Sequence, residues 1–152
     1  MIISILQIVI FVLIKFGILP SISDSWYELT AIGGVWYSLF TWFCFGLGIL
    51  MFFQTNGSTV LFFISGAGLS FVGAATMFKS SDYWTPKIHF GGAITGIFGA
   101  LIGIGIERNL WIPAAVWAVG TILIEIFKIR NSTWWVEVLA FSCIGLGLLL
   151  SS

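Results

Sequence analysis

The chain reads as an all-α polytopic integral membrane protein of six transmembrane helices, and three observations lead there. Of its 152 residues, 59% are hydrophobic and only 8% charged, whereas soluble chains carry about 25% charged residues. Mean hydropathy is +1.12. The apolar residues gather in continuous runs near the roughly 20 residues that cross a bilayer as a helix, without the period-two alternation of a membrane strand. Inside lipid every backbone amide needs a partner, and a helix supplies it within the segment. At this length six spans leave no room for a separate soluble domain, so 1–152 is expected to be a single transmembrane helical domain.

Span 1 is expected from Ile2 to Leu19, with Pro20 ending it for want of a donor. No basic stretch precedes this run and no small-residue cleavage site follows it, so it is read as a span rather than a cleaved signal. Lys15 lies one turn inside its end, within snorkelling distance of the interface. Span 2 runs from Ile32 to Phe53 and is rich in Trp and Phe. Gln54 to Ser58 makes a tight turn into span 3, Thr59 to Phe78. After a connector from Lys79, Thr85 is expected as the N-cap and Pro86 as the first residue of span 4, which runs to Ile106. Glu107 to Asn109 turns into span 5, Leu110 to Ile129, where Pro113 falls in the first turn. Trp134 and Trp135 open span 6 and fit an interfacial aromatic belt. Short turns pair the spans as three antiparallel hairpins, about 1–53, 59–106 and 110–151.

Lys15, Lys79, Lys87, Lys128 and Arg130 fall on one side of this arrangement and Arg108 on the other. The positive-inside rule then predicts cytoplasmic connectors and both termini outside, in a bacterial inner membrane. Ten of the twelve charged side chains gather at that pole. The net charge of zero, with no basic cluster, speaks against nucleic acid as a partner. The lipid bilayer is the expected one.

The frame Ser-Asp-x-Trp-x6-Gly-Gly occurs at 23–34 and again at 81–92. It is read as a parallel internal repeat, against the alternative that a chain rich in Gly, Ser and Trp yields such matches by accident. In span 4, Gly92, Gly96, Gly99 and Gly103 share one helix face. Small residues let helices approach closely in lipid, so this stripe is expected to pack on the Gly66, Ser70 and Gly73 face of span 3, or else to form a homodimer.

His89 lies near that packed face, as an interfacial hydrogen-bonder or a proton or ligand site. Glu125 and Glu137 each lie about a turn inside a span. Glu125 is expected to pair with Lys128 three residues on, and both carboxylates are also ligand candidates. Asp24 and Asp82, beside Trp26 and Trp84, either order their connectors or line a vestibule. One His and two scattered cysteines, Cys44 and Cys143, make no metal pattern, and no cofactor is expected. Phosphate-cradling and nucleophile-elbow motifs are absent. Asn56 and Asn131 head glycosylation patterns too close to the membrane to use.

Leu19 through Tyr27, with Lys87-Ile88-His89 entering a Gly-rich span, resembles small multi-spanning bacterial or bacteriophage membrane proteins of unknown function, a likeness that implies no activity. The grouping of Ser, Asp and His at one pole is also similar to the seven-span membrane hydrolases of the ceramidase and adiponectin-receptor type. Those need several histidines for zinc, and this chain has one.

The leading functional expectation is a small-molecule or ion-binding protein of transporter or membrane-regulator type, using Lys15, Asp24, Trp26, Asp82, Trp84, His89, Glu125 and Glu137. It requires the connectors to converge on a cavity holding at least two carboxylates. A structural or interaction protein instead requires locally paired carboxylates and no cavity. A metal-free intramembrane hydrolase, the third reading, requires Ser23 or Ser81 within hydrogen-bond reach of His89.

Overall fold

The computed structural model describes residues 10–55, 60–79 and 83–150, and every regular element among them is helical. Residues 10–16 form α1. There follow α2 (Ser25–Ile32), a 3-10 turn (Gly34–Ser38), α3 (Leu39–Phe53), α4 (Val60–Ala74), α5 (Trp84–Glu107), α6 (Ile112–Ile126) and α7 (Ser132–Leu150). Among the described residues three segments are long and apolar enough to cross a membrane: Gly34–Phe53, Trp84–Glu107 and Ser132–Leu150. The helices α4 and α6 have 15 residues each. They rise about 22 Å, less than a hydrocarbon core of roughly 30 Å.

Several boundaries depart from the sequence expectation for identifiable reasons. The helix α1 stops at residue 16 because Gly17 turns left-handed, with φ of 76°; Pro20 lies beyond the break rather than making it. Span 2 holds as the apolar stretch Gly34–Phe53, but it opens with the 3-10 turn, and Gly33 and Gly34, with φ of 77° and 62°, separate it from α2. Only glycine takes such angles without steric cost. The N-cap of α5 is Tyr83, not Thr85. Pro86 therefore sits third in the helix, still within the turn whose N–H groups lack helical partners.

The glycines decide the packing. α4 is held between α3 and α5 and presents small residues to both. A Cβ on Gly92 would lie 2.7 Å from the Gly68 carbonyl oxygen, and one on Gly99 would lie 3.1 Å from the Ser65 Cβ. Gly96 meets Leu69 and Gly103 meets Phe62. The Ser65 hydroxyl donates to the Gly96 carbonyl at 2.6 Å across this seam. The Gly66, Ser70 and Gly73 face expected to receive the α5 stripe instead faces α3, where Gly66 meets Gly48 and Phe52 and Gly73 meets Cys44. Both faces of α4 carry small residues at helical spacing, and sequence spacing alone does not assign them to neighbours. The α5 stripe is thus covered within one chain.

The two copies of the Ser-Asp-x-Trp frame fold differently where they can be compared. The glycine pair of the first copy ends a helix, whereas Gly91 and Gly92 lie in the interior of α5. Ser81 and Asp82, which open the second copy, are outside the described residues.

The first two turns of α7 dock on the irregular segment after α1 through three hydrogen bonds. Asn131 Nδ2 donates to the Ile18 carbonyl at 2.9 Å, and the Trp134 N–H to the Pro20 carbonyl at 3.2 Å. Glu137 Oε2 accepts from the Ile22 N–H at 2.5 Å. An orphan N–H of the first helical turn thereby gains a partner. Trp134 is fully buried there, in the apolar core shared with Leu29, Phe62 and Ile104.

Candidate functional site

Where α4 gives out at Ala74, the irregular segment 17–24 and the first turns of α5 come together around His89, which is 1% exposed. Its Nδ1 lies 3.0 Å from the Ala75 carbonyl oxygen and its Nε2 lies 2.9 Å from Ser23 Oγ. A carbonyl only accepts, so Nδ1 carries the proton. In the neutral ring Nε2 is then left to accept from the Ser23 hydroxyl. Phe78 stacks on the imidazole with ring centroids 4.2 Å apart and 16° between planes, which fixes the ring plane. Ala75 directly follows α4, at the end where carbonyls lack helical partners; the position of His89 on α5 supplies one.

Ser23 is held in a tight turn. The Asp24 N–H donates to Ser21 Oγ at 3.1 Å, and the Ser25 N–H to the Ile22 carbonyl at 3.0 Å. Asp24, almost fully buried, forms an ion pair through Oδ1 with Lys79. The Lys79 N–H in turn donates to the Tyr27 hydroxyl at 2.7 Å, and its ammonium lies 5.6 Å from the Tyr27 ring centre. An unpaired carboxylate here would be costly, and the lysine neutralises it.

A cavity of about 390 Å³ opens beside this network. Ser21, Ser23, Asp24, Lys79, His89 and Glu137 line its polar part. The rest is apolar and follows α5 from Phe90 through Ile94 and Ile97 to Phe98, facing Trp117 and Val136. From His89 to Phe98 the helix rises about 13 Å, the length of lining that α5 supplies. Phe90, Ile94 and Phe98 are also exposed on the outer surface of α5.

The candidates divide clearly. Asp24, His89 and Glu137 meet at this cavity. Glu125 and Lys15 are exposed elsewhere, and Glu125 makes no ion pair with Lys128 among the described residues. Lys128 has φ of 48° and so leaves the helix on which an i, i+3 pair depends. Trp26 packs edge-on against Tyr27. Trp84 is exposed beside Tyr83 and Lys87. Asp82 lies outside the described residues.

Sequence reasoning overlooked Lys79 as the partner of Asp24, Ser21 as the cap of the turn, and the Ala75 carbonyl as the partner of His89. The first two carried a signal, a lone base entering a connector and a Ser-x-Ser-Asp turn. The third is a backbone atom, invisible to any motif. Among the described residues no three His, Cys, Asp or Glu side chains gather to hold a metal ion. No protein family, curated protein or solved structure matches this chain.

Proposed function

We propose that the protein crosses the membrane six times and binds a small amphiphilic molecule in the cavity beside His89. The observation that carries this is the make-up of that cavity: two carboxylates, an imidazole and an ammonium at one part, and an aliphatic and aromatic lining along the rest. Its volume of about 390 Å³ is of the size that holds small molecules. A polar headgroup would meet Ser23, Asp24, Lys79 and Glu137, and an apolar chain would follow α5 towards Phe98 and Trp117. The exposed Ile94 and Phe98 offer a lateral way in from lipid.

Broken helices support the same reading. Irregular backbone at membrane depth is tolerated only where protein buries it or where it lines a cavity, and interrupted helices mark binding sites in membrane transporters. Here the irregular segments 17–24 and 75–79 both border the cavity.

The test is binding of a series of single-chain amphiphiles to the protein in lipid nanodiscs, read by native mass spectrometry, with Ala93→Phe as the filled-cavity variant. Ala93 lies on the cavity wall, and the added ring occupies part of that volume. Retention of an amphiphile by the wild type, reduced at least tenfold in Ala93→Phe, is expected. Equal retention by both, or none by either, would leave a structural membrane protein as the better account.

A further inference from the structure

We infer that Ser23 and His89 form a nucleophile and general-base pair, and that the molecule taken by the cavity is an amphiphilic carboxylic ester which the pair cleaves. This rests on the amphiphile-binding reading of the cavity and adds a reaction to it. The chain of contacts runs from the Ser23 hydroxyl to Nε2 at 2.9 Å, and from Nδ1–H to the Ala75 carbonyl at 3.0 Å. Nucleophilic catalysis by serine requires a base within about 2.6–3.2 Å and a third group that orients the base. Here the orienting group is a backbone carbonyl, with Phe78 holding the ring plane.

A second observation separates this pair from an ordinary buried histidine contact. Ser23 and His89 both line the cavity, so the pair borders space that a substrate can enter.

The step balances with water as the only co-reactant. Ser23 Oγ attacks the ester carbon while its proton passes to Nε2, and the carbonyl π electrons move onto oxygen. As that oxyanion collapses, the carbon–oxygen bond to the alcohol breaks, and the alcohol leaves with the Nε2 proton. Water then attacks the acyl-serine and gives its proton to Nε2. The bond to Oγ breaks, Oγ recovers the proton, and a carboxylic acid departs.

The experiment treats the full chain in nanodiscs with a dodecyl fluorophosphonate and maps the adduct by peptide mass spectrometry. Amphiphile retention is measured on the same preparation. A single adduct on Ser23 is expected, with none at that position in Ser23→Ala. Labelling should slow by about a hundredfold or more in His89→Gln, in line with the usual contribution of a general base, and should fall in acid as the imidazole protonates. Mapping on the wild type keeps the test meaningful even where His89→Gln does not fold. No adduct, or an adduct on another residue, overturns the assignment. Retention without an adduct overturns the reaction and leaves the binding site standing; loss of both overturns the two together.

Discussion

Replacing Gly68 by alanine probes the tightest backbone-to-backbone approach that a glycine makes among the described residues. A methyl group there would lie 2.6 Å from both the Gly92 carbonyl oxygen and the Gly96 nitrogen. Both are backbone atoms of α5, so no side chain can swing aside. Carbon–oxygen contacts settle at about 3.3–3.6 Å, and α4 and α5 must part by roughly 0.7–1 Å at that level. A gap of about 0.5–1 Å forfeits between a quarter and a half of each contact's attraction. The Ser65–Gly96 hydrogen bond, 2.6 Å long on the same seam, stretches past the usual range of about 2.5–3.0 Å for a hydroxyl donor.

Overpacking of this kind costs about 1–3 kcal/mol, and an interhelical hydrogen bond in a membrane adds about 0.6 kcal/mol. The better helix propensity of alanine returns about 0.5–1 kcal/mol. The net expectation is a loss of about 1–3 kcal/mol. Gly91→Ala is the matched control, on α5 beside the stripe, with nothing within 4 Å of the added methyl; it should be neutral or slightly stabilising. Unfolding in mixed micelles with increasing dodecyl sulfate, followed by tryptophan fluorescence, measures both. Gly68→Ala proving as stable as Gly91→Ala would refute the argument that backbone contact between α4 and α5 sets the packing.

Substitutions at two further positions test local features by the same assay. Lys128 occupies a left-handed position, φ 48°, in a helix end closed by the Lys128 N–H to the Glu125 carbonyl at 3.2 Å and the Ile129 N–H to the Ile124 carbonyl at 3.1 Å. Glycine suits that position, so Lys128→Gly should stabilise by about 0.5–1 kcal/mol despite its greater unfolded entropy; an unchanged or lower stability would count against the turn as described. Glu137→Gln keeps an oxygen for the Ile22 N–H and should cost under about 1 kcal/mol, while Glu137→Leu leaves that N–H without its partner and should cost about 1–3 kcal/mol. Equal costs would mean that the tie between α7 and the segment after α1 does not hold the fold.

The sequence by itself determined the helical class and the abundance of long apolar segments, because hydropathy and run length are properties of a stretch read alone. It also pointed to the pole where Asp24, His89 and Glu137 gather, since titratable groups in an apolar chain are few enough to enumerate. The glycine stripes were legible as close-packing faces for the same reason, that helical spacing is local. Tertiary structure decided which face of α4 meets which neighbour, because small residues mark both and only the placement of α3 and α5 distinguishes them. It decided that Gly17, Gly33 and Gly34 break helices while Gly91 and Gly92 do not, since glycine permits a left-handed turn without requiring one. It brought Ser23 to His89 across 66 positions of chain and Lys79 to Asp24. The imidazole's other partner is a carbonyl freed by the end of a helix, a group every residue carries and that only the fold makes available.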